Sequence, residues 1–131
     1  MGTEWPTLDS LIDLNQRVLL FSNQDGGQHV GYMEQWTHWI DNPYSAQEID
    51  DFSCALDRGN VGTATLFNIN HFITNPVADI EDAEIANQYD IVKAHVEKCR
   101  EETDYFPNQI LVDFYSKGSV LDVVYEINTG L

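Results

Sequence analysis

The sequence predicts an α/β fold built on parallel strands, and three observations predict it. Helix-like and strand-like segments alternate in the order helix, strand, loop, strand, loop, strand, helix, strand, helix. Residues 17–21 and 110–115 carry the near-continuous apolar runs of strands covered on both faces. Four successive strands finish in hydrogen-bonding or ionisable residues, namely Asn23, Asp41, Asn70-His71 and Asp113 with Tyr115. In parallel α/β folds, ligands bind beyond those carboxyl ends.

The elements follow in order. Trp5, Leu8, Leu11 and Ile12 fall at helical spacing, with Thr7 as a start signal and Asp9 as acid in the first turn. Arg17-Val18-Leu19-Leu20-Phe21 predicts a buried strand that stops at the turn-rich stretch 22–27. Trp36 to Ile40 is β-prone and runs into Asp41-Asn42-Pro43. Residues 44–62 lack a sustained period and predict a long loop holding at most a helical turn.

Residues 63–72 predict a third strand, in which Leu66, Asn68 and Asn70 point to one side and Phe67, Ile69 and His71 to the other. Asp79, Glu81, Asp82 and Glu84 cluster where a helix dipole favours acids, and Ile85, Tyr89, Val92, Val96 and Cys99 form one apolar stripe, so a single helix is expected there. Ile110-Leu111-Val112-Asp113-Phe114-Tyr115 predicts the last strand. Ser119 with Asp122 resembles a capping box ahead of a final helix through Val120, Val123, Val124 and Ile127.

The 131 residues make one domain, 1–131, with about half the ~250 residues of a closed (β/α)8 barrel. The alternating elements and polar strand ends imply half an α/β barrel with a polar rim. At 43% apolar the chain is too hydrophobic to be disordered. Its 22 acids against 6 Lys and Arg, a net charge of −16, exclude nucleic acid as a partner, because phosphate backbones require a basic patch. The same field opposes docking on anionic lipid unless a divalent cation intervenes. No apolar run reaches the ~18 residues of a membrane span, and residues 1–6 lack the pattern of a signal peptide.

Asp113 is the sharpest chemical candidate, since a carboxylate inside an apolar strand is expected to be buried and to need a partner. It reads either as a structural acid bonded to backbone amides or as the carboxylate that orients a catalytic imidazole. His71 reads as a satisfied structural residue or as a general acid or base. His29 and His38 have no partner at ligand spacing. His95 stands four residues before Cys99, a spacing that can hold a metal, but only two of the needed ligands are there and no metal site is expected. Cys54 and Cys99 leave one disulfide or two buried thiols as alternatives. No phosphate-binding glycine loop and no nucleophile elbow is present.

Taken in order, Trp5-Pro6-Thr7-Leu8, Arg17-Val18-Leu19-Leu20-Phe21, Asp41-Asn42-Pro43-Tyr44, Cys54 through Asp57-Arg58-Gly59, Leu66 through Asn70-His71-Phe72, Ala94-His95 through Cys99, and Phe106-Pro107-Asn108 through Asp113-Phe114-Tyr115 form a pattern across almost the whole chain. It resembles the fungal and bacterial phospholipase-C-like phosphodiesterases, the superfamily of phosphatidylinositol-specific phospholipase C. The resemblance implies a TIM barrel, of which this chain supplies about the last four βα units. It implies cleavage of a phosphodiester, a small molecule or a lipid head group, with two histidines as general base and acid and an Arg or a divalent metal stabilising the phosphoryl charge.

Those histidines belong to the family's N-terminal half, so the chain is expected to lack them and to be inactive alone. By resemblance Asp113 is the strand-eight aspartate that supports a catalytic histidine, and Asn70 and His71 match a strand-seven pair facing the site. Asp113 and His71 are thus the catalytic candidates, and Asn23, Asp41, Asn70 and Tyr115 the substrate-binding ones. Cys54 and Cys99 look like a disulfide pair of secreted members, implying an oxidising compartment for the parent protein. The expected partner is the N-terminal barrel half, or a second copy of the chain. The alternative reading is a non-catalytic binding or truncated module that self-associates.

Overall fold

The computed structural model describes residues 5–130, so the ends of the expected 1–131 domain lie outside the described residues. Thr7 starts helix α1 (Leu8–Asp13) as foreseen, its hydroxyl accepting from the Ser10 amide at 3.2 Å. Strand β1 (Leu20–Ser22) pairs in parallel with β2 (Tyr32–Glu34), a strand the sequence reading missed. Gly26 packs against the β2 backbone, where a Cβ would sit 2.3 Å from Glu34 Cα.

The expectation of a strand buried on both faces at 17–21 is corrected. Val18, Leu19 and Leu20 are exposed, and α1 buries only Leu11 while Leu8 is 75% exposed. A two-stranded ribbon has too little surface of its own to cover an apolar face.

Residues 36–40 divide. Glu34 caps a short helix α2 (Gln35–His38) by accepting from the Trp36 and Thr37 amides, and only then does β3 (Trp39–Asp41) begin. The cap explains why β-prone residues turn helical: their amides already have a carboxylate to bond. The hydroxyl of Thr37, followed by those amides, holds the Glu34 carboxyl below its ordinary pKa. The loop after β3 holds a single 3-10 turn (Ile49–Asp51), as the sequence implied.

Strand β4 (Leu66–Asn70) lies between β3 and β5 (Pro107–Leu111) in a parallel sheet of order β3-β4-β5. Asp41 pairs with Asn68, and Asn70 with Leu111. A shift in register between Phe67 and Asn68 is bridged by a side chain, the Phe67 amide donating to Asn108 Oδ1 at 2.9 Å. Strand β5 thus runs earlier than the expected 110–115. Val112 and Asp113 lie past its end, and Phe114 beyond them takes a left-handed φ of 47°.

The helix expected along one stripe is two helices, α3 (Ile80–Ala86) and α4 (Tyr89–Thr103). Asn87 causes the break, because its carbonyl accepts from Ser119 N at 2.8 Å and its side-chain amide donates to the Asp113 carbonyl at 2.9 Å. Gly118 permits this approach, at φ +70° and with a Cβ that would lie 2.2 Å from Asn87 O. The last helix, α5 (Val120–Thr129), begins where expected but without a side-chain cap from Ser119.

The core forms between one face of the three-stranded sheet and α4 with α5. Phe67, Ile69 and Ile40 meet Val92, Val96, Val120 and Val123, and the Cys54–Cys99 disulfide lies among them. The mixed α/β class with parallel strands is as expected, but in place of four βα units of one barrel the described residues form two small parallel sheets, β1-β2 and β3-β4-β5, and no closed barrel.

Candidate functional site

A strand sends alternate side chains to opposite faces, so the pairing that buries Phe67 and Ile69 against the helices turns Asn68 and Asn70 the other way. On that second face they meet Trp39 and Asp41 from β3 and Gln109 and Leu111 from β5 around a cleft of about 240 Å³, closed at one side by Phe21, Trp36 and Arg58.

Asp41 is the centre of this face. It is 2% exposed, yet its carboxylate is fully engaged. Arg58 binds it in a forked ion pair, Nε donating to Oδ1 at 3.3 Å and to Oδ2 at 3.1 Å while Nη2 also donates to Oδ2. The Arg58 amide adds a bond to Oδ1 at 3.1 Å, and Asn70 Nδ2 donates to Oδ2 at 3.1 Å. A buried carboxylate is tolerated only with this degree of pairing. The bonds from Asp41 and its charge raise the already high pKa of Arg58.

Local sequence explains why Arg58 arrives here. Gly59, at φ +105°, crosses so close to β3 that a Cβ would stand 2.2 Å from the Trp39 carbonyl. Trp36 and Tyr44 then sandwich the guanidinium, their ring centroids 4.7 and 4.2 Å from its carbon. The bonds to Asp41 use Nε and Nη2 and leave Nη1 outside the pair.

The amides form a second layer. Asn42 Oδ1 accepts from the Asn70 amide at 2.6 Å, and Asn42 Nδ2 donates to the Ser53 carbonyl at 2.7 Å. Asn70 Nδ2 also donates to the Asn42 carbonyl at 2.6 Å, and Asn68 Nδ2 to Asn70 Oδ1 at 2.9 Å. Asn68 Oδ1 is buried and has no hydrogen-bond partner among the described residues.

Of the residues singled out in the sequence, Asp41 and Asn70 meet here. Asn23 lies exposed in the loop after β1, and Tyr115 is exposed beyond β5. Neither lines the cleft. Asp113 is half-buried rather than buried, because β5 ends before it; its backbone carbonyl, not its carboxylate, is what Asn87 holds.

His71 follows Asn70 and therefore points to the helix side, where it is fully buried. Its Nε2 donates to the Ala86 carbonyl at 2.9 Å, and its Nδ1 faces Nδ1 of His95 at 2.8 Å. His71 and Asp113 share the wall of a crevice with no room for a ligand.

Arg58, Asn68, Trp36 and Gln109 were missed as site residues. Arg58 had a signal, as one of only six cations in the chain. Asn68 had one in its alternation with Asn70.

Compared with known proteins, the family model described as PI-PLC X 1 matches residues 1–128. A PI-PLC X domain-containing protein 1 of Arthroderma benhamiae is 26% identical over 137 residues, covering 95% of this chain and 45% of that protein. This chain therefore spans about half the length of the curated relative it matches. No solved structure matches it.

Proposed function

Since the chain belongs to the PI-PLC X family, we propose that it forms the carboxyl-terminal part of a phospholipase-C-like phosphodiester hydrolase and supplies the substrate-binding wall of its active site. The observation that carries this reading is the ion pair of the buried Asp41 with the partly exposed Arg58, braced by Asn70 and opening on a polar cleft on one face of the parallel sheet.

In this reading Arg58 Nη1 offers a charged donor to a phosphoryl oxygen. Gln35 and Gln109, which line the cleft, address hydroxyls of the head group. Trp36 and Trp39 pack on its apolar edge. Asp41 is a positioning residue, since its carboxylate is spent on holding Arg58.

The remaining walls come from the other half of the barrel. Three arguments support this. At about 240 Å³ the cleft is smaller than the ~300–1,000 Å³ that usually encloses a small ligand. No histidine is among the residues that line it. The sheet has three strands, too few to close into a barrel. Asp113, past the end of β5, is placed in this proposal to receive a histidine from that other half, and His71 supports β4 from behind. Secretion of the parent protein is part of the same proposal, motivated by the Cys54–Cys99 disulfide.

The test is phosphodiester hydrolysis by the chain alone and mixed with a separately made upstream half from a relative. Activity confined to the mixture, and lowered about 100-fold or more by Arg58→Met, is the expected result. Activity of the chain alone would overturn the division of labour. Binding of a head-group analogue without turnover in either preparation would favour the alternative, a non-catalytic binding module.

A further inference from the structure

Behind the sheet lies a second cluster that the substrate reading does not use. His95 and Cys99 stand one turn apart on α4, and Cys54 comes in from the loop after β3 to bond Cys99. A ring nitrogen of His95 and both sulfurs lie within 4.8 Å of one another, and all three residues are buried. The His95 ring has one nitrogen to spare. Its Nδ1 is taken by His71, whereas Nε2 is buried and without a hydrogen-bond partner among the described residues, an arrangement that usually costs stability.

We propose that reduction of the Cys54–Cys99 bond turns this cluster into a buried site for a thiolate-preferring divalent cation of the zinc class, held by Cys54 Sγ, Cys99 Sγ and His95 Nε2.

The tautomers follow from the hydrogen bonds. His71 Nε2–H donates to the Ala86 carbonyl, so His71 Nδ1 carries a lone pair and must accept from His95 Nδ1–H. That places the free lone pair of His95 on Nε2, the form a metal requires, and makes His71 the outer partner that fixes the ring. Phe52, stacked on the His95 ring at 4.8 Å, holds it in the same plane.

The oxidised pair cannot do this, because its sulfurs carry no thiolate charge. The step balances with a thiol reductant. Two reductant thiols give two electrons and two protons to the S–S bond and leave as their own disulfide, yielding Cys54-SH and Cys99-SH. Binding of the cation then releases those two thiol protons. A water completes the usual four-coordinate shell.

The test uses the full chain, oxidised or reduced with a thiol that is then removed without air, titrated with Co2+ as a coloured stand-in for Zn2+. The reduced chain is expected to take one Co2+ with intense thiolate charge-transfer absorption, to release it to Zn2+, and to keep its far-UV circular dichroism. The oxidised chain shows no such absorption. His95→Gln and, separately, His71→Leu weaken binding about 10-fold or more. Absence of the thiolate band in the reduced chain, folded or not, would overturn the proposal. So would undiminished affinity in both His95→Gln and His71→Leu, since two thiols alone would then account for the binding. Recovery of circular dichroism on adding Zn2+ to a reduced chain that had unfolded would support it.

Discussion

His71 and His95 face each other through their Nδ1 atoms at 2.8 Å in the core, with Phe52 against both rings. One proton serves the pair across that gap, and a further proton would put charge where water does not reach. Burial lowers the pKa of His71, and burial followed by the neighbouring His71 pushes His95 down to about 4, the Ser53 backbone working the other way.

Acid sensitivity follows from that pair. The unfolded chain takes up a proton on His95 near the ordinary value of about 6.5, while the folded chain resists until about 4. Stability is therefore expected to fall as pH drops through that window, by roughly 2–3 kcal/mol. Urea midpoints of the wild type and His95→Gln between pH 7 and 4 check it. Equal slopes for the two proteins would mean that the carboxylates alone drive acid unfolding.

The Asp41–Arg58 pair predicts an asymmetry. Arg58→Met strands a buried carboxylate and is expected to cost about 3 kcal/mol or more. Asp41→Asn leaves a guanidinium whose side chain is 40% exposed and can turn to water, so it is expected to cost about half as much. Chemical denaturation of the two variants decides the order, and a larger loss for Asp41→Asn would contradict the assigned burial.

Gly59→Ala tests how Arg58 is delivered. The substitution demands a left-handed φ of a residue with a Cβ and drives that atom into β3. A loss of about 2–4 kcal/mol is expected. The same variant should weaken head-group binding, read by calorimetry on the assembled barrel, because the guanidinium leaves its sandwich.

Cutting the Cys54–Cys99 bond frees a loop of 45 residues in the unfolded chain. Loop entropy sets the expected loss at about 4 kcal/mol or somewhat less. Mass before and after reduction shows the bond, and the shift in thermal midpoint without added metal measures its effect. An unchanged midpoint would mean that the core alone fixes this region.

Much of the fold was legible because periodicity is local. The apolar stripe of α4 and the alternation of β4 were both readable from the residues alone. The break at Asn87 was not, because the Ser119 amide from a distant loop claims its carbonyl while Gly118 leaves the room for it. Nor was the exposure of residues 18–20, since an apolar run states what should be covered and not whether cover arrives.

The sequence by itself determined the family pattern, the α/β class, the acidic surface and the polar character of the strand ends. It also placed Asn68 and Asn70 on the face opposite His71, because alternation along a strand needs no partner to be known. Only the tertiary structure decided that Asp41 is held by Arg58, 17 residues on, that His71 is held by His95, and that Cys54 joins His95 and Cys99. Each of these is a meeting across elements. Local chemistry sets what a side chain can bind, but burial and the path of the backbone set which partner it finds.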